Sequence, residues 1–265
     1  MALSHLRGWS PEARSESGWY FPIRPLWDTL VDSPGFPDVS ALNQLYQRSL
    51  LGRAELSPEV RALRFVDAGP KRRRSGKHAI DLTSLYEGRI VLRGEVPTRA
   101  DDWHDFFNAL SFAAFPRAKW ALHARGYQLL ARSVTPDTRR LPAARTREQD
   151  ALALFDEGGV ALVVPPDVAE DLGPDNRALD ELALSLWREG RARLVPFGHA
   201  LYEHLVEGLA CPLGMLHAVR LDLRALAPEH WLDALDASLS RDLSTPSLFS
   251  VPSTSRGLSL STLQI

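Results

Sequence analysis

Asp101-Asp102-Trp103-His104-Asp105-Phe106-Phe107-Asn108-Ala109-Leu110-Ser111-Phe112-Ala113-Ala114-Phe115-Pro116 is the most strongly patterned stretch of the chain. At about 100° per residue, Trp103, Phe107, Leu110 and Ala114 form one apolar stripe, while His104, Asn108 and Ser111 form a polar stripe beside it. Phe106, Phe112 and Phe115 make most of the remaining circumference apolar, so the spacing predicts a buried helix over 101–114. Thr98 and Asp101 read as its capping box. Pro116 then opens a second helix, over 117–132, after a bend.

Outward from this pair, helical and strand patterns mix. Toward the amino terminus, Ser40 reads as the cap of a helix over 40–51, and Ser57-Pro58-Glu59 opens a short one with proline at its first position. The β-rich runs 79–85 and 89–93, parted by Tyr86-Glu87-Gly88, are expected strands of a small sheet. Toward the carboxyl terminus, 151–155 and 160–164 flank Asp156-Glu157-Gly158-Gly159 and read as a hairpin. Helix 176–188, strand 193–196, helix 197–209, strand 216–223 and helix 228–239 follow. Without regular βαβ alternation the class is α+β: a single mixed domain, helices packed on a small, mostly antiparallel sheet. The expected organisation is an aromatic-rich arm over 1–38, the domain over 39–239 and a serine-rich tail over 240–265.

Composition removes whole classes of function. The 265 residues carry 31 Lys and Arg against 33 Asp and Glu, a net charge of -2, so bulk electrostatics does not drive this chain onto nucleic acid or membrane. With one cysteine, Cys211, neither an internal disulfide nor a cysteine-based zinc site can form. No apolar run reaches the roughly 18 residues of a membrane span, and the start lacks a secretory signal, so the expected location is the cytoplasm. Nucleophile-elbow, Walker and dinucleotide-binding motifs are missing from the sequence.

The candidate chemistry lies in polar residues set within apolar elements. His104 and Asn108 are four apart on the buried helix and can point at one spot, as a structural pair or as an acid, base or ligand with an orienting amide. His199 and Glu203, also four apart, follow a strand directly; they read as a core hydrogen bond, two metal ligands, or an imidazole with its tautomer fixed by a carboxylate. Asp156 and Glu157 read either as polar turn residues or as a base or cation ligands. Arg145 and Arg147 could clamp an anion or pair with local carboxylates. The run Lys71, Arg72, Arg73, Arg74 and Lys77 reads as a solvated loop or as a phosphate contact.

Three blocks together resemble one family: Glu95-Val96-Pro97-Thr98-Arg99 with Trp103-His104-Asp105, Asn108-Ala109-Leu110 and Phe115-Pro116-Arg117-Ala118-Lys119; then Asp150-Ala151-Leu152, Leu154-Phe155-Asp156-Glu157 and Gly159; then Phe197-Gly198-His199-Ala200-Leu201 and Glu203. They are similar to the signature of an uncharacterised bacterial family, domain of unknown function 3025, over roughly residues 20–235. No activity comes with that resemblance. It implies only that His104, Asp105, Asn108, Lys119, Asp156, Glu157, His199 and Glu203 belong to one recurring pattern.

The expectation is a hydrolase or transferase acting on an anionic small molecule or phosphate-bearing substrate. His104, Asn108, Asp156, Glu157, His199 and Glu203 would be catalytic, and Lys119, Arg145 and Arg147 would hold the substrate. One divalent metal would fall to His104, His199, Asp156 and Glu203. The competing expectation is a non-catalytic polyanion or nucleic-acid binder using the basic loops 71–77 and 139–147.

Overall fold

The computed structural model describes residues 8–10, 17–69, 78–169, 179–207, 213–246, 248–249 and 258–259. In chain order the elements are α1 (Arg24–Asp28), α2 (Val39–Ser49), α3 (Pro58–Ala62), β1 (Arg64–Asp67), α4 (Tyr86–Arg93), β2 (Glu95–Thr98), α5 (Trp103–Ala114), α6 (Pro116–Arg132), α7 (Arg147–Gly158), β3 (Gly159–Val164), α8 (Pro166–Ala169), α9 (Leu179–Arg188), β4 (Arg193–Pro196), α10 (His199–Val206), β5 (Leu213–Arg220), α11 (Trp231–Ser244) and β6 (Leu258–Ser259). The class is α+β.

The helix α5 forms where its pattern predicts, and every residue from Asp105 to Ala114 is buried. Its cap is Asp102, which accepts from the Asp105 N–H at 3.0 Å; the expected box at Thr98 and Asp101 does not form because the helix begins one turn later. Pro116 starts α6 as expected. No side chain of its own caps α6. Asp236 of α11 does so instead, accepting from the Ala118 and Arg117 N–H groups at 2.9 and 3.2 Å, while Arg53 and Arg117 neutralise the carboxylate.

Two expected strand pairs are corrected. The segment 79–93 contains the helix α4, preceded by a short 3-10 turn, Leu82–Ser84. Its Ile and Val belong to an amphipathic helix that buries Ile90, and Gly94 ends it in the left-handed conformation at φ 63°. The expected hairpin over 151–164 is a helix followed by a strand. A capping box between Thr146 and Gln149 starts α7, and Leu152 and Phe155, three apart, bury its inner face. Asp156 and Glu157 therefore lie on the last turn of a helix.

Other boundaries shift locally. Asp38, not Ser40, caps α2, whereas Ser57 and Pro58 open α3 as expected. The helix expected to end at 239 continues to Ser244. Described residues of the arm enter the core: Tyr20 and Trp27 are fully buried, and Trp9, Trp27, Phe36, Trp103, Phe106 and Phe107 form one cluster of tilted and stacked rings. The basic run 71–77 and Cys211 lie outside the described residues.

Among the described residues there are two sheets. The strands β1 and β2 pair in parallel, Arg64 with Glu95 through Asp67 with Thr98. The larger sheet has the order β4-β3-β5-β6, with antiparallel outer pairings and a parallel β3–β5 pair at its centre. All of β3 is buried. Its residues alternate between two cores: Val160, Leu162 and Val164 join Trp19, Ala183 and Leu186, while Ala161 and Val163 join the main core with Phe107, Phe155 and Leu239.

Candidate functional site

The end of α7 and the start of α10 meet at the edge of the sheet, and glycines allow the approach. The Phe197 and Gly198 N–H groups both reach the Gly159 carbonyl at 2.9 Å. A Cβ on Gly198 would stand less than 3.0 Å from Glu157 O, Gly158 N and Gly159 N, all backbone atoms. Gly159 and Gly198 thus serve close packing, a Cβ on Gly159 meeting the Phe155 carbonyl at under 3.0 Å. His199 follows directly, and α5 supplies His104 from the opposite side.

The two imidazoles face each other with Nε2 atoms 3.0 Å apart. Each ring's Nδ1 is already engaged. His104 Nδ1 lies 2.9 Å from a Glu203 carboxylate oxygen, and His199 Nδ1 lies 2.9 Å from the Asp156 backbone carbonyl. Both partners accept hydrogen bonds, so each ring carries its Nδ1 proton and, when neutral, turns an Nε2 lone pair inward. Two lone pairs at that distance repel unless a proton or a cation stands between them. Glu157 completes the set, its Oε2 3.5 Å from His199 Nε2 and 3.8 Å from His104 Nε2.

The electrostatics divide the two histidines. The hydrogen bond to Glu203 raises the His104 pKa above the ordinary histidine value despite partial burial. Burial pushes the His199 pKa well below it, and the nearby Lys119 ammonium adds to the effect. The two shifts run in opposite directions, so a proton between the two Nε2 atoms favours His104 over His199.

Behind His199 lies a second layer. The Lys119 side chain is 0% exposed; its ammonium donates to Asn108 Oδ1 at 2.9 Å and to Asp156 Oδ1. Asn108 donates in turn to the Tyr86 hydroxyl at 3.0 Å. His123, four residues beyond Lys119, bonds Glu87 through Nδ1 at 2.8 Å and holds its buried Nε2 4.0 Å from Asp156 Oδ2. Burial opposes ionisation of Asp156, but Lys119, His123 and His199 together outweigh it and hold its carboxyl well below the usual carboxylate range.

A family model described as protein of unknown function (DUF3025) matches residues 75–258. The chain belongs to this family. No curated protein and no solved structure matches it. The match spans all three sequence blocks, and within this DUF3025 chain they contribute unequally. His104, His199, Glu157 and Glu203 come together, and the ligand atoms of His104, Glu157 and His199 all lie within 4.8 Å of one another. Of the carboxylates grouped by sequence, Glu157 faces the two Nε2 atoms, Glu203 stands behind His104, and Asp156 contributes its carbonyl while its carboxylate turns to Lys119. Asn108 and Lys119 are locked to each other. Asp105 accepts a bidentate pair from Arg99 and closes the turn before α5.

Arg145 and Arg147 do not reach the site. Arg147 opens α7 and Glu157 lies at its other end, ten residues or roughly 15 Å along the axis. Both arginines are exposed. Sequence reasoning missed Tyr86, Glu87 and His123. The i,i+4 spacing of Lys119 and His123 was a usable signal; Tyr86 and Glu87 were hidden by the strand expected at 79–93. Among the described residues, no helix is long and apolar enough to cross a membrane.

Proposed function

We propose that His104, His199 and Glu157 bind one divalent cation of the zinc class, and that the protein is a metal-dependent hydrolase of anionic, phosphate-bearing small molecules. The observation that carries this reading is the convergence of three ligand atoms whose outer partners are already in place. Zinc–nitrogen bonds of about 2.0–2.1 Å in tetrahedral geometry put neighbouring ligand atoms roughly 3.4 Å apart. The separations here are 3.0, 3.5 and 3.8 Å. A carboxylate behind one ligand histidine and a carbonyl behind the other match the way such rings are oriented toward metals.

Charge points the same way. With both histidines neutral and Asp156 paired to Lys119, the Glu157 and Glu203 carboxylates at the imidazoles carry two negative charges, which one divalent cation would cancel. Closed structural zinc sites use four protein ligands, whereas catalytic ones keep a position for water. Here three side chains converge, and Glu157 is 49% exposed, so the side of the site that it lines is open to solvent. A cation held by His104, His199 and Glu157 would supply Lewis acidity, toward a water or toward a phosphoryl or carbonyl oxygen. Glu203 keeps His104 in the ligating tautomer. Lys119 is enclosed and does not reach an incoming anion, so its positive counter-charge would have to come from a bound cation.

The test is metal content followed by activity. The purified chain should hold, or take up on titration, one zinc or cobalt ion per molecule and should hydrolyse members of a phosphoester and carboxylic-ester panel only when loaded. His104→Ala, His199→Ala and Glu157→Ala should each lose both properties while melting near the wild-type temperature. A wild-type chain that takes up no metal, with His104→Ala and His199→Ala each several kcal/mol less stable, would mark the histidines as a structural hydrogen-bond pair instead.

A further inference from the structure

We infer that Lys119 is a positioning residue: its buried ammonium fixes the last turn of α7, and through it the Asp156 carbonyl and the Glu157 carboxylate, against His199. For metal binding this role rests on the site reading proposed above; for the His199 tautomer it is independent of it.

A lysine with no exposed side-chain surface calls for an explanation, because burying an ammonium costs several kcal/mol and a hydrophobic residue of like volume would serve packing as well. The stem of Lys119 runs through the core, and its Nζ sits 4.7 Å from the Phe112 ring centre and 6.0 Å from that of Phe197. Its two oxygen partners come from different helices, Asn108 from α5 and Asp156 from α7. Lys119 therefore ties together the helix that carries His104 and the helix that carries Glu157.

What it holds is the weak point of α7. The last carbonyls of a helix have no partner within it. The Phe155 carbonyl is taken by the Gly159 N–H, while that of Asp156 accepts from His199 Nδ1. With its side chain clamped by Lys119 and approached by His123, the backbone of Asp156 has one orientation, and its carbonyl selects one tautomer of His199. Glu157 is the next residue, so the same clamp sets where its carboxylate begins. His199 has no carboxylate of its own at Nδ1; the Lys119–Asp156 pair does for His199, through the backbone, what Glu203 does directly for His104.

Lys119→Met alone would leave the Asp156 carboxylate buried without its ammonium and could prevent folding. The informative variant is Lys119→Met with Asp156→Asn, which removes both charges and retains all three ligand side chains and the backbone carbonyl. It should fold and melt near the wild-type temperature, as replacements of buried ion pairs by neutral groups often do. Imidazole nitrogen NMR of the metal-free wild type should show His199 in a single tautomer with the proton on Nδ1; in the double variant the two tautomers should mix. Cobalt affinity should fall about 10- to 100-fold, the range for loss of a group orienting a ligand, with a changed visible absorption spectrum. A double variant that keeps His199 in one Nδ1–H tautomer, or binds cobalt with wild-type affinity and spectrum, overturns the role of Lys119. If the wild type takes up no cobalt, the site reading fails by itself, and the tautomer still decides whether Lys119 positions His199.

Discussion

Replacing Gly198 by alanine separates the fold from the site it builds. The backbone there is ordinary, at φ -68°, so the substitution carries no conformational penalty of the left-handed kind. Its whole effect is steric. The new methyl would lie under 3.0 Å from three backbone atoms of residues 157–159, and none of these can swing away as a side-chain tip could. Restoring a normal separation of about 3.5–4.0 Å requires the start of α10 to retreat from the end of α7 by roughly 1 Å. Overpacking of this kind costs about 1–3 kcal/mol. At about 2–4 °C per kcal/mol for a chain of this size, the melting temperature should fall by several degrees while the protein stays folded at 25 °C. The site should suffer more. Ligand distances are held to about 0.2 Å in metal sites, so a shift of 1 Å between His199 and Glu157 removes one of them from the set. Thermal melting followed by circular dichroism and cobalt titration of the same sample measure both effects. A Gly198→Ala protein with wild-type melting and wild-type cobalt affinity would refute both the contact and the site built on it.

Two further predictions address charge. Asp236→Ala removes the cap of α6 and one of the two carboxylates, with Asp233, that Arg53 and Arg117 share; it should cost about 1–3 kcal/mol in urea unfolding, and a loss under about 0.5 kcal/mol would show that Asp236 contributes little. Because the His104 pKa is raised, its proton must leave before a metal can bind, so cobalt affinity should drop about tenfold per pH unit below that raised value and level off above it. Glu203→Gln lowers the His104 pKa and should move the break in that profile to lower pH; an unmoved break would exclude His104 as the displaced group.

Much of the framework was legible in the sequence because it is local. The stripe of Trp103, Phe107 and Leu110, proline at the first position of α3 and α6, and the apolar run of β3 all act within a few residues. The elements misread are those where two local signals compete. Ile90, Val91 and Leu92 favour a strand by type, but Gly94 stops a helix and the face bearing Ile90 is buried. Leu152, Leu154 and Phe155 read as one side of a hairpin, yet Thr146 and Gln149 box the start of a helix that tertiary packing completes. The parallel pairing of Arg64–Asp67 with Glu95–Thr98 has no local signature, since its partners are about thirty residues apart.

The site divides along the same line. Sequence alone singled out His104, His199 and Glu203, because polar residues at helical spacing inside apolar elements must find partners when buried, and Asp156 and Glu157 as adjacent carboxylates at an expected turn. It could not assign their roles. Glu157 and Asp156 are neighbours in sequence, but on a helix they point about 100° apart, one toward the imidazoles and one toward Lys119. Only the meeting of three helices, made possible by the absence of a side chain at Gly198, decided which carboxylate faces the two Nε2 atoms and which stands behind them.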